Sequence, residues 1–206
     1  MSSRLTLRYM TTKVWEAYLQ LFVHPPTELG TLAGYLHPLE GRFLYWLAGK
    51  VPPGGLALEV GSFKGRSSAY LASGLGEAAR LACVDTWWND AMPYDAPSDV
   101  MPEFIQNTAR FSNCIEPHRG ISSEVAASWT RPIDLIFIAV DHSYEGCSGD
   151  LMAWMPFVRP GGWVTFHDSG EAGVARAISE FLPRSHWGLE SCAWSIYAVR
   201  KGKKTE

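Results

Sequence analysis

Two rhythms of apolar and polar positions alternate along this chain. Runs at 56–60 (LALEV), 80–84 (RLACV), 115–119, 133–140 (IDLIFIAV) and 162–166 (GWVTF) read as strands, most of them continuously apolar. Helical spacing fills the intervals at 66–74, 100–111, 122–128, 146–158 and 171–182. Two further helices, 11–23 and 38–49, come before the first strand, with breaks at HPP (24–26) and VPPGG (51–55). Segments 186–190 and 193–199 read as two closely spaced strands. Strands buried on both faces and alternating with helices predict an α/β fold. The expected architecture is a doubly wound, mostly parallel seven-stranded sheet with helices on both faces and an antiparallel C-terminal edge. Residues 1–50 are expected to form a helical lid or appendage, and 51–206 the ligand-binding domain.

Composition narrows the class. The chain has 206 residues, 47% hydrophobic and 19% charged, which suits a folded domain with a sizeable core. A net charge of −3 gives no global attraction to nucleic acid or to an anionic membrane. The basic stretch Lys201-Gly202-Lys203-Lys204 is expected to be a solvated end. No run approaches the ~20 apolar residues of a membrane helix. The N-terminus lacks the apolar centre of a signal peptide, and the four cysteines form no CxxC pair. A cytoplasmic location is the expectation.

In a sheet of this kind ligands bind beyond the carboxyl ends of the strands. Those positions hold Glu59–Gly61, Asp85, Gly120–Ser123, Asp141–His142 and His167–Asp168. The stretch LALEVGSFKGRSSAYLASG (56–74) is a strand, a glycine-bounded turn and a helix start. A triphosphate loop needs four residues between its glycines, then Lys. Gly61 and Gly65 enclose three, and Arg66 follows. A dinucleotide loop needs glycine where Phe63 stands. S-adenosylmethionine has no phosphate, and asks only for a tight turn and an acid for its ribose. Asp85, 24 residues after Gly61, can accept both ribose hydroxyls. Trp87 and Trp88 are placed to stack on adenine or to cover a substrate, or else to pack an ordinary loop. Ser122 or Ser123 stands at a helix N-cap.

The turn resembles motif I of class I methyltransferases, and that family has a Rossmann-like fold. A stronger resemblance lies downstream, in IDLIFIAVDHSYEGCSGDLMAWMPFVRPGGWVTFHDSG (133–170). It is similar to the bacterial small-molecule O-methyltransferases of methyltransferase family 24, akin to the cephalosporin hydroxylase/macrocin and catechol types. Relatives tend to carry an acid where Ala139 stands. The resemblance implies cofactor contacts from Glu59, the turn Gly61, Ser62, Phe63 and Gly65, and Ser67 at the helix start. It also implies contacts from Asp85, Thr86 and Trp87, from Ser122 near adenine, and from Asp141 and His142. It implies a hydroxyl-bearing small-molecule substrate such as a sugar, phenol or natural product, and a homodimer.

The expected chemistry is methyl transfer to a hydroxyl. Asp141 and Asp168 end neighbouring strands, and such a carboxylate pair suits Mg²⁺, with Mn²⁺ as the softer choice. The resemblance places the cation on Asp141, Asp168 and either His167 or Ser169. The alternative is that both acids are helix caps. His142 is the first candidate for the base, with Tyr144 where catechol-type relatives carry lysine. Transfer without a metal, using His142, and a non-catalytic S-adenosylmethionine-binding module are the alternative readings.

Overall fold

The computed structural model describes residues 2–90, 96–139, 141–181 and 187–202, with backbone alone for 2–11 and 187–190. Val140, Leu182 and His186 lie outside the described residues, as do 91–95 in the 86–104 loop and Lys203-Lys204 of the basic tail. Two helices lead, α1 (Ser2–Phe22) and α2 (Pro38–Ala48). The α/β alternation follows: β1 (Leu56–Val60), α3 (Arg66–Gly74), β2 (Arg80–Asp85), the short β3 (Trp88–Asn89) and β4 (Ser98–Asp99), then α4 (Met101–Thr108). Next come β5 (Ile115–Arg119), α5 (Ser122–Ala127), β6 (Ile133–Ile138), α6 (Tyr144–Trp154), β7 (Val158–Phe166) and α7 (Ala172–Phe181). The hairpin β8 (Trp187–Ala193) and β9 (Ile196–Lys201) ends the fold.

The seven-stranded sheet runs β5-β2-β1-β6-β7-β9-β8. Pairs from β5 to β7 are parallel, while β9 is antiparallel to both β7 and β8. This is the architecture that the apolar pattern predicts. Alternate residues of each strand feed two cores. Ala57, Leu81, Cys83, Leu135 and Phe137 face one, shared with Leu19, Phe43 and Leu47 of the leading helices. Leu58, Val60, Val84, Ile136 and Phe166 face the other, shared with Leu151, Trp154 and Val174. The leading helices therefore pack on the sheet itself. No helix among the described residues is long and apolar enough to cross a membrane.

The strand order reverses at β1, between β2 and β6. Connections there diverge to opposite faces and leave a crevice. Ladder bonds continue past the strand ends and register the loops around it. Gly61 N donates to Val84 O at 2.9 Å, Ala139 N to Val60 O at 2.8 Å, and His167 N to Ile138 O at 2.9 Å.

Candidate active site

The carboxyl ends of β1, β2, β6 and β7 open into one cavity of about 670 Å³, a size that suits a nucleoside-like ligand. Its walls are the turn 61–64, the segment 85–90, Phe137 with Ala139, and the strand-end groups Asp141, His142, His167 and Asp168. Gly34, Tyr35 and Leu36 close one side. Arg66 holds them there by donating to Gly34 O at 2.9 Å and Gly30 O at 3.1 Å.

The turn after β1 needs its glycines. Gly61 and Gly65 have φ of +89° and +85°. A Cβ on Gly65 would lie 2.8 Å from Thr108 Cγ2. Asp85 ties this turn to the next one: Oδ2 accepts from Phe63 N at 2.7 Å, and Oδ1 from Trp87 N at 2.6 Å. Each oxygen keeps a second lone pair, and Asp85 lines the cavity. Ser62, Ser67 and Thr86 line it too. Glu59 does not. It lies fully buried under the turn, accepting from the Ser68 hydroxyl, with the Cys83 thiol at 3.6 Å. Burial pushes its carboxyl upward, against the pull of those hydroxyls.

Strain gathers at the walls. Phe63, Trp87 and Asp168 have φ of +46°, +51° and +46°, a region costly for residues with a side chain, and one that recurs at functional sites. Trp87 is buried against Phe104, with ring centroids 4.7 Å apart, while Trp88 is 52% exposed.

At the far end the structure regroups the expected chemistry. Asp141 lines the cavity, but its oxygens are taken up locally: it accepts from Ser143 N at 2.9 Å and from the Ser143 hydroxyl at 2.6 Å. Ser143 in turn caps α6 by accepting from Gly146 N at 3.0 Å. These bonds hold the Asp141 carboxyl below its ordinary range. His142 takes its place beside Asp168, with Nε2 at 3.2 Å from Oδ2. The same oxygen lies 3.0 Å from His167 Nδ1, and His167 Nε2 lies 3.4 Å from Glu40 Oε2. Burial works to discharge His167, but hydrogen bonds to Asp168 and Glu40 outweigh it and raise the imidazole to about 9. The His167 hydrogen bond holds Asp168 at about 2. His167 thus lies between two carboxylates, an arrangement that favours its charged form.

Two expected contacts lie elsewhere. Ser122 donates to buried Asp150 and accepts from Trp154 Nε1 at 2.8 Å, so its hydroxyl braces α5 against α6. Tyr144 donates to Glu180 Oε2 at 2.6 Å, with Arg176 3.9 Å above its ring, and so faces α7. Glu40 went unread in the sequence. The signal present, an acid three residues after His37, reads only as a local capping box at the start of α2.

Among the described residues, the grouping able to converge on a cation is His142, His167 and Asp168, with ligand atoms within 4.8 Å of one another. Asp141, whose oxygens face Ser143, is not in it. Mg²⁺ takes oxygen ligands, and this set has a single carboxylate. Both nitrogens of His167 already face carboxylates, Nδ1 that of Asp168 at 3.0 Å and Nε2 that of Glu40 at 3.4 Å. These residues do not fit the expected Mg²⁺ site.

Comparison with known proteins agrees with this fold. A protein from Corynebacterium glutamicum is 15% identical, with a TM-score of 0.71 over 97% of this chain and 99% of its own. The O-methyltransferase TomG of Streptomyces achromogenes, involved in tomaymycin synthesis and solved with S-adenosylmethionine, is 18% identical, with a TM-score of 0.67 over 93% and 96%. An O-methyltransferase from Bacillus cereus, solved with S-adenosylhomocysteine, is 17% identical, with a TM-score of 0.65 over 93% and 98%. The family model described as methyltransferase domain, of family 24, matches residues 58–169. That match spans β1 to the end of β7, more than half of the chain. The chain belongs to methyltransferase family 24, and its domain is a class I, S-adenosylmethionine-dependent methyltransferase.

Proposed function

We propose that this protein transfers the methyl group to a hydroxyl of a small molecule, with His142 as general base and no metal in the step. The observation that carries this reading is the His142 Nε2–Asp168 Oδ2 contact of 3.2 Å at the cavity wall. The carboxylate accepts a hydrogen bond from Nε2–H and so leaves the Nδ1 lone pair for a substrate hydroxyl. The His142 side chain is 52% exposed, so the acceptor can reach it.

The cavity fits the cofactor. Asp85 has lone pairs left for two ribose hydroxyls, and the Gly61–Gly65 turn lets backbone approach the methionine arm. Trp87, Trp88, Phe137 and Ala139 add apolar and aromatic surface to the cavity, which suits the adenine and the sulfonium arm. S-adenosylmethionine supplies a methyl already activated by its sulfonium. The protein's own work is to align the acceptor within about 3–3.5 Å and to remove its proton. Tyr35 and Leu36 give the cavity an apolar border that suits a phenol, sugar or natural-product ring.

The test is formation of S-adenosylhomocysteine with a panel of catechol, 3,4-dihydroxybenzoic acid, tyramine and methyl glucoside. Turnover should persist in excess EDTA. His142→Ala should lower it by ~10²–10⁴. Turnover lost to EDTA and restored by Mn²⁺ or Mg²⁺ overturns the metal-free step. Full activity in His142→Ala overturns the base.

A further inference from the structure

Glu40 is 2% exposed, yet it belongs to α2, ahead of the segment that the family model matches. Its Oε2 accepts from His37 N at 2.8 Å, which completes the capping box. A cap at a helix start needs no more than this, and sits well in water. Here the carboxylate is buried and does two further things. Oε2 meets His167 Nε2 at 3.4 Å. Oε1 accepts from Ser195 N at 3.2 Å and from the Ser195 hydroxyl, both in the β8–β9 turn. His37 stacks on Trp194 of that turn, with ring centroids 3.9 Å apart and planes 6° from parallel.

The turn is stapled on its other side to the end of β7. Ser169 donates to Ser195 O through both its amide, at 2.9 Å, and its hydroxyl, at 2.6 Å. Asp168 N approaches the Ser195 hydroxyl at 3.3 Å. His167 thus has one edge on Glu40 and the other on Asp168, and the ring cannot turn without breaking a charged hydrogen bond. The Asp168 oxygen so fixed is the one that meets His142.

We infer that Glu40 is a positioning residue for methyl transfer, which fixes the His142 imidazole through His167 and Asp168. The catalytic unit then includes α2 and the C-terminal hairpin, both of which lie outside the matched segment. This rests on His142 as the base.

The experiment uses the full chain with S-adenosylhomocysteine and 3,4-dihydroxybenzoic acid as probes. Glu40→Gln keeps the shape and removes the charge. It should leave S-adenosylhomocysteine affinity within about twofold and lower kcat by about tenfold to a hundredfold, the scale of an ångström's misplacement. In a His142→Ala background the same change should lower the residual rate by less than about twofold, because the two act as one unit. Ring-nitrogen NMR resonances of His142, recorded with S-adenosylhomocysteine bound, should shift in Glu40→Gln whether or not the probe acceptor turns over. Unchanged resonances, or an equal kcat loss in both backgrounds, overturn the inference. If Glu40→Gln does not fold, Ser195→Ala, which removes the hairpin's hydroxyl bond to the same carboxylate, takes its place with the same readouts. Full activity in His142→Ala would instead remove the base, an outcome separate from any shift of its ring in Glu40→Gln.

Discussion

Asp85 joins two turns through one carboxylate, and this makes it more than a cofactor contact. Removing it strands the amides of Phe63 and Trp87, two residues already held at positive φ. Asp85→Ala should weaken S-adenosylhomocysteine binding by more than tenfold, about 1.4 kcal/mol or more, as read by calorimetry. An affinity equal to wild type would place the ribose elsewhere. The two strand-end acids should separate sharply. Asp168→Asn disturbs His142 and His167 together and should lower kcat by ~10²–10⁴. Asp141→Asn weakens the bonds from Ser143 and should keep kcat within a few-fold of wild type, with a loss of about 1 kcal/mol in urea unfolding. Equal kcat losses in the two would put Asp141 back in the chemistry. Sequence alone ranks these acids alike, since each follows a strand. Which one meets the histidines is set by whether a nearer donor claims it, and Ser143 claims Asp141.

Among the elements, α6 and β7 show where local pattern and tertiary pairing part. Helix α6 begins at Tyr144, two residues before the 146 that the pattern predicts, because Ser143 and Asp141 together cap it. Ser143→Ala should cost about 1 kcal/mol of stability, measured by urea unfolding. A change within error would mean that Asp141 alone supports the helix start. Strand β7 runs from Val158, four residues ahead of the expected 162. Pairing lapses over Pro160, Gly161 and Gly162: Val158 pairs with Ile133 and Trp163 with Leu135, with the register shifted between them. The 86–104 segment carries the two-residue pair β3 and β4, too short for any periodicity to show.

At the scale of the whole molecule, the Glu40–His167–Asp168 group ties the leading helices, the sheet and the hairpin together, so its charge state bears on stability. His167 is raised to about 9 from an ordinary 6.5. Its contribution is complete below about 6.5 and is lost as pH rises through about 9. Asp168 is held at about 2, below an ordinary 3.8, so its contribution is present above about 3.8 and lost as pH falls through about 2. The melting temperature should therefore fall between pH 6.5 and 9, and His167→Gln should flatten that fall. A profile as steep in the variant would assign the loss to other groups. Much of this protein was legible in its sequence. The strand runs, the seven-stranded sheet, the glycine-bounded turn and the positions of Asp85, His142 and Asp168 all follow from local pattern, because burial on both faces and left-handed turns leave marks on neighbouring residues. The partners of the ionisable groups were decided only by the tertiary structure. Glu40, His167 and Ser195 lie far apart in the chain, and each has a sufficient local role of its own. Only the packing of α2 and the hairpin against the end of β7 brings one carboxylate to both, and that contact has no period in the sequence.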